Sequence, residues 1–275
     1  MQNNNFSLGA LFSVPDLRDY VGKSTLNDFP EKFELELTAV KNQQNVGSCV
    51  AHAVASVAEY FNKVETGKVT KLSTGYIYGN RLLSFNKGVG LNVRDTLKTM
   101  TKFGDVDFEV FPENIEVPQA IALFDERYNE LETSGAQYKF DKYFRIKDEN
   151  ALKQQLITGN PVLISMWWFD DIEIVDGVMK TNCIKSKNTG GHCMVVYGWN
   201  EDGWLVQNSW GSSWGNKGKF VLPYDVSVKE FWGVTDENSD STLEIITPFS
   251  SNIGKAFAKT VHAVLCWIFK VFNIQ

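Results

Sequence analysis

Histidine is scarce in this chain, with three in 275 residues: His52, His192 and His262. Any chemistry that needs an imidazole base must draw on one of them. Cysteine is nearly as scarce. Cys49, Cys183, Cys193 and Cys266 show no regular disulfide spacing, and setting one reactive thiol aside leaves an odd three. That pattern suits a reducing compartment better than a secreted disulfide scaffold, so an intracellular, cytoplasmic setting is expected. No uninterrupted apolar stretch reaches 18 residues, so no membrane-spanning helix is expected. The first basic residue is Arg18, and the apolar stretch 8–14 is broken by Gly9 and Ser13, so no secretory signal is expected either. The net charge of −6 argues against nucleic acid as a partner.

What is present reads as an ordinary globular protein, 43% apolar and 22% charged, long enough for one large domain or two lobes. Residues 1–30 are polar and irregular and read as an N-terminal arm. From 49 to 66 the chain is apolar and alanine-rich, with Ser48 placed as N-cap and Gly67 as stop, which predicts a helix. A second helix is expected from Asn92 to Gly104, with Val93, Leu97, Met100 and Phe103 on one face. Further helices are expected over 117–133 and over 148–157, the latter capped by Asp148. Beyond Pro161 the texture turns to strands, at 161–167, 193–199, 204–207, 219–222 and 231–234. Asn200-Glu201-Asp202-Gly203 reads as a hairpin turn. The pattern is α+β: a helical lobe over about 45–115, an antiparallel β lobe over about 138–235, and a cleft between them.

The chemistry-bearing residues lie in three separate segments. The first, Lys41-Asn42-Gln43-Gln44-Asn45-Val46-Gly47-Ser48-Cys49, ends in a cysteine at a helix start, where free N–H groups and the helix dipole favour a thiolate. Gly47 permits a tight turn there and leaves space for a substrate backbone. A cysteine in an apolar helix is more often a plain core residue; the cap, the glycine and the nearby amide of Gln43 reverse that preference. The second segment is Gly190-Gly191-His192 and the third is Gln207-Asn208-Ser209-Trp210-Gly211. A base must reach the thiol from another element, which favours His192 over His52, three residues along the same helix as Cys49. Asn208 can accept the imidazole N–H and fix its tautomer without adding charge, although an asparagine there also suits a plain turn. A thiol, an imidazole and two side-chain amides are the parts of a cysteine hydrolase.

These segments resemble those of papain-like cysteine peptidases. The similarity covers about 30–235. His192 follows Cys49 by 143 residues, within the family's spacing of about 130–150. The resemblance implies a papain-like two-lobed fold with a β-barrel-like second lobe. It implies Cys49 as nucleophile, His192 as general acid/base, and Asn208 as the residue orienting His192. Gln43 would form the oxyanion site with the Cys49 N–H. Gly47, Gly90 and Gly191 would border the substrate backbone. Trp210 would shield the His192–Asn208 hydrogen bond, unless it serves only as core packing. The expected activity is endopeptidase cleavage of peptides or proteins through a thioester; an exopeptidase, a cell-wall amidase and a non-catalytic peptide-binding module are the alternatives. No cofactor and no metal are implied. Val46 stands where the family usually has a cysteine, Val50 where it has an aromatic residue, and Gly191 where a polar one is common. These departures point towards bacterial and viral members, as does Pro15-Asp16-Leu17-Arg18-Asp19-Tyr20, which resembles their pre-domain stretch. With 48 residues before Cys49, the long inhibitory propeptide of secreted members is not expected.

Residues 236–252 read as a linker. In 253–275, Lys255, Lys259, His262, Cys266 and Lys270 share one narrow helical face, while Ile253, Phe257, Val261, Leu265, Ile268 and Phe272 cover much of the rest. The expectation is an amphipathic C-terminal helix that docks on the domain, on a membrane surface or on a partner protein.

Overall fold

The computed structural model describes residues 7–80, 90–112, 128–180, 189–236 and 242–246. Its centre is helix α1, Cys49–Thr66, which is buried continuously from Cys49 to Phe61. A helix buried on every side must be apolar all round or satisfy its polar groups internally. Glu59 shows the second solution: its carboxylate accepts from the Lys41 ammonium, from Thr38 Oγ1 at 3.1 Å and from the Leu72 N–H at 2.8 Å. Gly67 ends the helix in the left-handed conformation (φ 70°), as expected. Ser48 sits at the N-cap position, but its side chain makes no capping hydrogen bond. Its hydroxyl instead meets His52 Nδ1 at 3.2 Å.

Four more α-helices lie among the described residues, of which α2 and α3 pack on α1. Helix α2 (Thr74–Gly79) follows Ser73, whose hydroxyl accepts from the Tyr76 N–H. Helix α3 (Val93–Phe103) is capped by Asn92 and ends at Gly104, with Val93, Leu97, Met100 and Phe103 buried. Helix α4 covers Tyr128–Gly135, so the expected helix over 117–133 is met from 128 and runs two residues further; 117–127 lie outside the described residues. Helix α5 (Glu149–Ile157) begins at Asp148, whose side chain accepts from the Ala151 N–H.

The strands of the second half join two short strands from the first 35 residues in one large sheet. Its strands in chain order are β2 (Val21–Lys23), β3 (Phe33–Glu34), β5 (Lys142–Ile146), β6 (Val162–Phe169), β7 (Ile174–Val175), β8 (Val178–Met179), β9 (Thr189–Asn200), β10 (Gly203–Gln207), β11 (Lys219–Leu222), β12 (Glu230–Thr235) and β13 (Glu244–Ile246). The spatial order is β13-β2-β5-β12-β6-β9-β10-β11-β8-β7, with β3 also paired to β9. Among the described residues the sheet does not close into a barrel. It is mostly antiparallel, with parallel pairings of β2 to β5 and of β11 to β8. Strand β9 packs on α1 and hairpins into β10, which places the start of α1 beside the start of β9.

Two expectations need correction. The arm is not irregular throughout: β2 enters the main sheet, and β1 (Ala10–Leu11) pairs in parallel with β4 (Leu91–Asn92). The stretch read as a linker contributes β13, which pairs antiparallel with β2. Both strands borrow long-range partners that their own two or three residues do not announce. The expected helix at 253–275 lies outside the described residues.

Candidate active site

Cys49 is the first residue of α1, His192 lies near the start of β9, and Asn208 directly follows β10. His192 Nε2 meets Asn208 Oδ1 at 2.7 Å. That oxygen also accepts the Ser209 N–H at 2.7 Å, which fixes which way the Asn208 amide faces. An oxygen can only accept, so Nε2 carries the proton and Nδ1 holds the lone pair of the neutral imidazole. Nδ1 is buried and without a hydrogen-bond partner, the state of a nitrogen kept for a reacting group. The Trp210 ring stacks on the imidazole, with centroids 4.6 Å apart and planes 26° apart, and Trp168 meets it edge-on at 5.3 Å. Trp210 is itself buried, so it packs in the core as well as against the imidazole.

Gln43 is held as firmly. Its side-chain oxygen accepts from Ser209 Oγ at 2.7 Å, and its backbone N–H donates to the Ser209 carbonyl at 2.8 Å. Its Nε2 donates to the carbonyls of Ser7 and Val46, both at 2.8 Å. Ser209 thus joins the two amides that the sequence singled out. It stood inside the third segment but carried no role in the sequence reading, because a serine next to an asparagine has no distinctive spacing signal. His52 turns its Nδ1 back to the Ser48 carbonyl at 3.0 Å, which leaves His192 as the base candidate.

Burial dominates the electrostatics. It pushes the Cys49 thiol up to about 11, against the opposing effect of backbone N–H groups of Cys193, Gly9 and Val50. It pulls the His192 imidazole down to about 4, opposed by the hydrogen bond to Asn208. In this closed arrangement both groups are neutral at pH 7. Among the described residues no group of three His, Cys, Asp or Glu is placed to hold a metal ion.

The three glycines expected to border substrate backbone all border the arm. A β-carbon on Gly9 would lie 1.9 Å from the Gly47 carbonyl oxygen, one on Gly90 (φ 105°) 2.3 Å from the Gly9 oxygen, and one on Gly191 1.9 Å from the Ala10 oxygen. Contacts this close exclude any side chain at these positions.

A helix-borne thiol, an imidazole from the sheet and two locked amides make this a thiol hydrolase of two-part α+β architecture. Residues 27–239 match the family described as papain family cysteine protease, and the chain belongs to that family. It is 30% identical over 220 residues to an uncharacterized peptidase C1-like protein of Acanthamoeba polyphaga mimivirus, spanning 74% of this chain and 68% of that protein. A probable cysteine protease of Arabidopsis thaliana is 27% identical over 78% of this chain, which matches 44% of the plant protein's length. Among solved structures, xylellain, a cysteine protease from Xylella fastidiosa, superimposes with a TM-score of 0.71 at 21% identity, covering 86% of this chain and 98% of xylellain. A Carica candamarcensis cysteine protease in complex with E-64 gives 0.56 at 20% identity, over 75% and 99%.

Proposed function

We propose that the protein is an endopeptidase that cuts through a thioester on Cys49. The Cys49 sulfur attacks the substrate carbonyl carbon while His192 Nδ1 takes the thiol proton. The tetrahedral oxyanion is held by Gln43 Nε2 and the Cys49 N–H. His192 then returns the proton to the leaving amine, and the thioester forms. Water, deprotonated by the same nitrogen, releases the acid and restores the thiol. Asn208 keeps the imidazole turned with Nδ1 as base throughout.

The observation that carries this reading is the His192–Asn208 hydrogen bond, which leaves Nδ1 as a free, buried base. Cleavage within a chain, rather than at its end, is supported by how the arm lies. Residues 7–12 run beside the Gln43 amide and the 90–91 and 191 backbone, so the groove takes a run of backbone rather than one terminal residue. The test is peptide-library profiling by mass spectrometry with wild-type protein and its Cys49→Ala counterpart. Internal cuts that vanish with Cys49→Ala are the expected result. Unchanged cutting in that variant would sink the proposal.

A further inference from the structure

Three large apolar side chains stand exposed within seven residues of the arm: Val14 at 76%, Leu17 at 79% and Tyr20 at 50%. Single exposed apolar residues are ordinary, but such a group marks a contact surface. The backbone beneath them is fixed. Asp19 is the anchor: its buried carboxylate takes charge-assisted hydrogen bonds from Arg94 Nε and Arg145 Nε, both at 2.7 Å. The Val14 carbonyl accepts from Arg94 at 2.6 Å and the Tyr20 carbonyl from the Arg145 N–H at 2.8 Å. The Asp19 N–H closes a turn on the Asp16 carbonyl at 3.1 Å. The other acid of this turn, Asp16, pairs with Arg18 at 2.7 Å. The turn is thus rigid, apolar in its exposed side chains, and carries no unpaired acid.

The C-terminal tail departs from the same place. β13 is the last strand at one edge of the sheet. It runs antiparallel to β2 with Ile246 opposite Val21, so the chain leaves it at the Tyr20 end of β2. Six residues, 247–252, separate that exit from 253–275, a reach of roughly 20 Å when extended. On a helical wheel Lys255, Lys259, His262, Cys266, Lys270 and Asn273 fall in an arc of about 80°. Most of the remaining circumference is apolar, with Phe257, Trp267, Phe269 and Phe272 on it. A helix docked on one domain needs an apolar stripe of only about 100°. A helix that crosses a bilayer needs about 20 apolar residues, and the longest lysine-free stretch inside 253–275 has ten, 260–269. The pattern fits a helix lying in a bilayer interface, aromatic rings in the acyl boundary and lysines at the headgroups. Three lysines and no acid beyond Glu244 call for anionic lipid.

We propose that the protein binds the surface of an anionic bilayer through a composite face. The tail 253–275 is its interfacial helix, and Val14, Leu17 and Tyr20 insert beside it. The β13–β2 pairing is what brings the two ends of the chain to one edge of the sheet. The proposal is independent of the peptidase reading.

The test is co-sedimentation of the full-length chain with phosphatidylcholine vesicles, plain or carrying about a quarter phosphatidylserine. Three lysines at about fivefold each should favour the anionic vesicles by roughly a hundredfold at physiological salt. About 1 M salt, which shortens the screening length to about 3 Å, should remove most of that preference. Lys255→Gln, Lys259→Gln and Lys270→Gln together should bind both kinds of vesicle alike. A chain ending at residue 252 should stay in the supernatant. Val14→Ser combined with Leu17→Ser, both at exposed positions, should weaken binding roughly tenfold and keep the lipid preference. Equal sedimentation with and without the tail would overturn the proposal, and so would unchanged binding in the serine double variant. Tail-dependent dimers in vesicle-free buffer, with no lipid binding, would overturn it in favour of a second copy of this chain.

Discussion

The hydroxyl of Ser209 donates to the side-chain oxygen of Gln43 at 2.7 Å, across 166 positions of sequence. The same residue's N–H donates to Asn208 Oδ1. One serine thus joins the Gln43 amide to the amide that holds the imidazole.

Ser209→Ala should keep the backbone links and lose only the hydroxyl. The Gln43 side-chain oxygen would then be buried without that donor, at a cost of about 1–3 kcal/mol. On a peptide substrate we expect kcat to fall by roughly tenfold with little change in KM, as for an amide that acts on the transition state. Ser209→Thr, which keeps the hydroxyl, should recover part of the rate. Steady-state kinetics of the two variants check this; an equal loss in both would point to packing instead.

In the wild-type protein the Cys49 thiol is pushed up to about 11 by burial, so it is protonated at neutral pH. Below that value the thiolate fraction grows about tenfold per pH unit. The iodoacetamide rate of wild type should therefore climb steeply from pH 7 to pH 10. His192 is pulled down to about 4 by burial and stays neutral across that whole range. It therefore offers no cation to stabilise the sulfur. A flat wild-type profile above pH 7 would show the thiolate already formed.

Asp19→Ala should be far more damaging than its surface position in the sequence suggests. Burial alone would raise the Asp19 carboxyl, but hydrogen bonds from Arg94 and Arg145 outweigh that and hold it below the ordinary carboxylate value. Its stabilising contribution is therefore complete above about pH 4 and is lost only as pH falls further, through the lowered folded-state value. Removing the carboxylate leaves two guanidinium groups partly buried without their shared partner, at a cost of about 3–5 kcal/mol. Urea melts at pH 7 should show that loss, and the gap between variant and wild type should narrow in strong acid.

Helix α1 was legible because an apolar, alanine-rich run, a following glycine and a preceding turn all agree. Helix α2 was not: Thr-Gly-Tyr-Ile-Tyr-Gly has low helix propensity, and its formation depends on the Ser73 cap and on burial of all six residues. Strands β1, β2 and β13 are two or three residues long, too short for any period to show, and each is defined by a partner far away in sequence. The site divides in the same way. Cys49, His192, Asn208 and Gln43 announced themselves through residue type and spacing. The arm's place across them did not, because its contacts there run largely from backbone to backbone through glycines, and such contacts leave no side-chain pattern to read.

The anchor at Asp19 has a further consequence, for dilution. Residues 7–12, tethered beside the site by a short segment, meet it at an effective concentration of about 1 mM. Contact between that segment and the Gln43 amide is therefore a property of a single molecule and does not depend on how thinly the protein is spread.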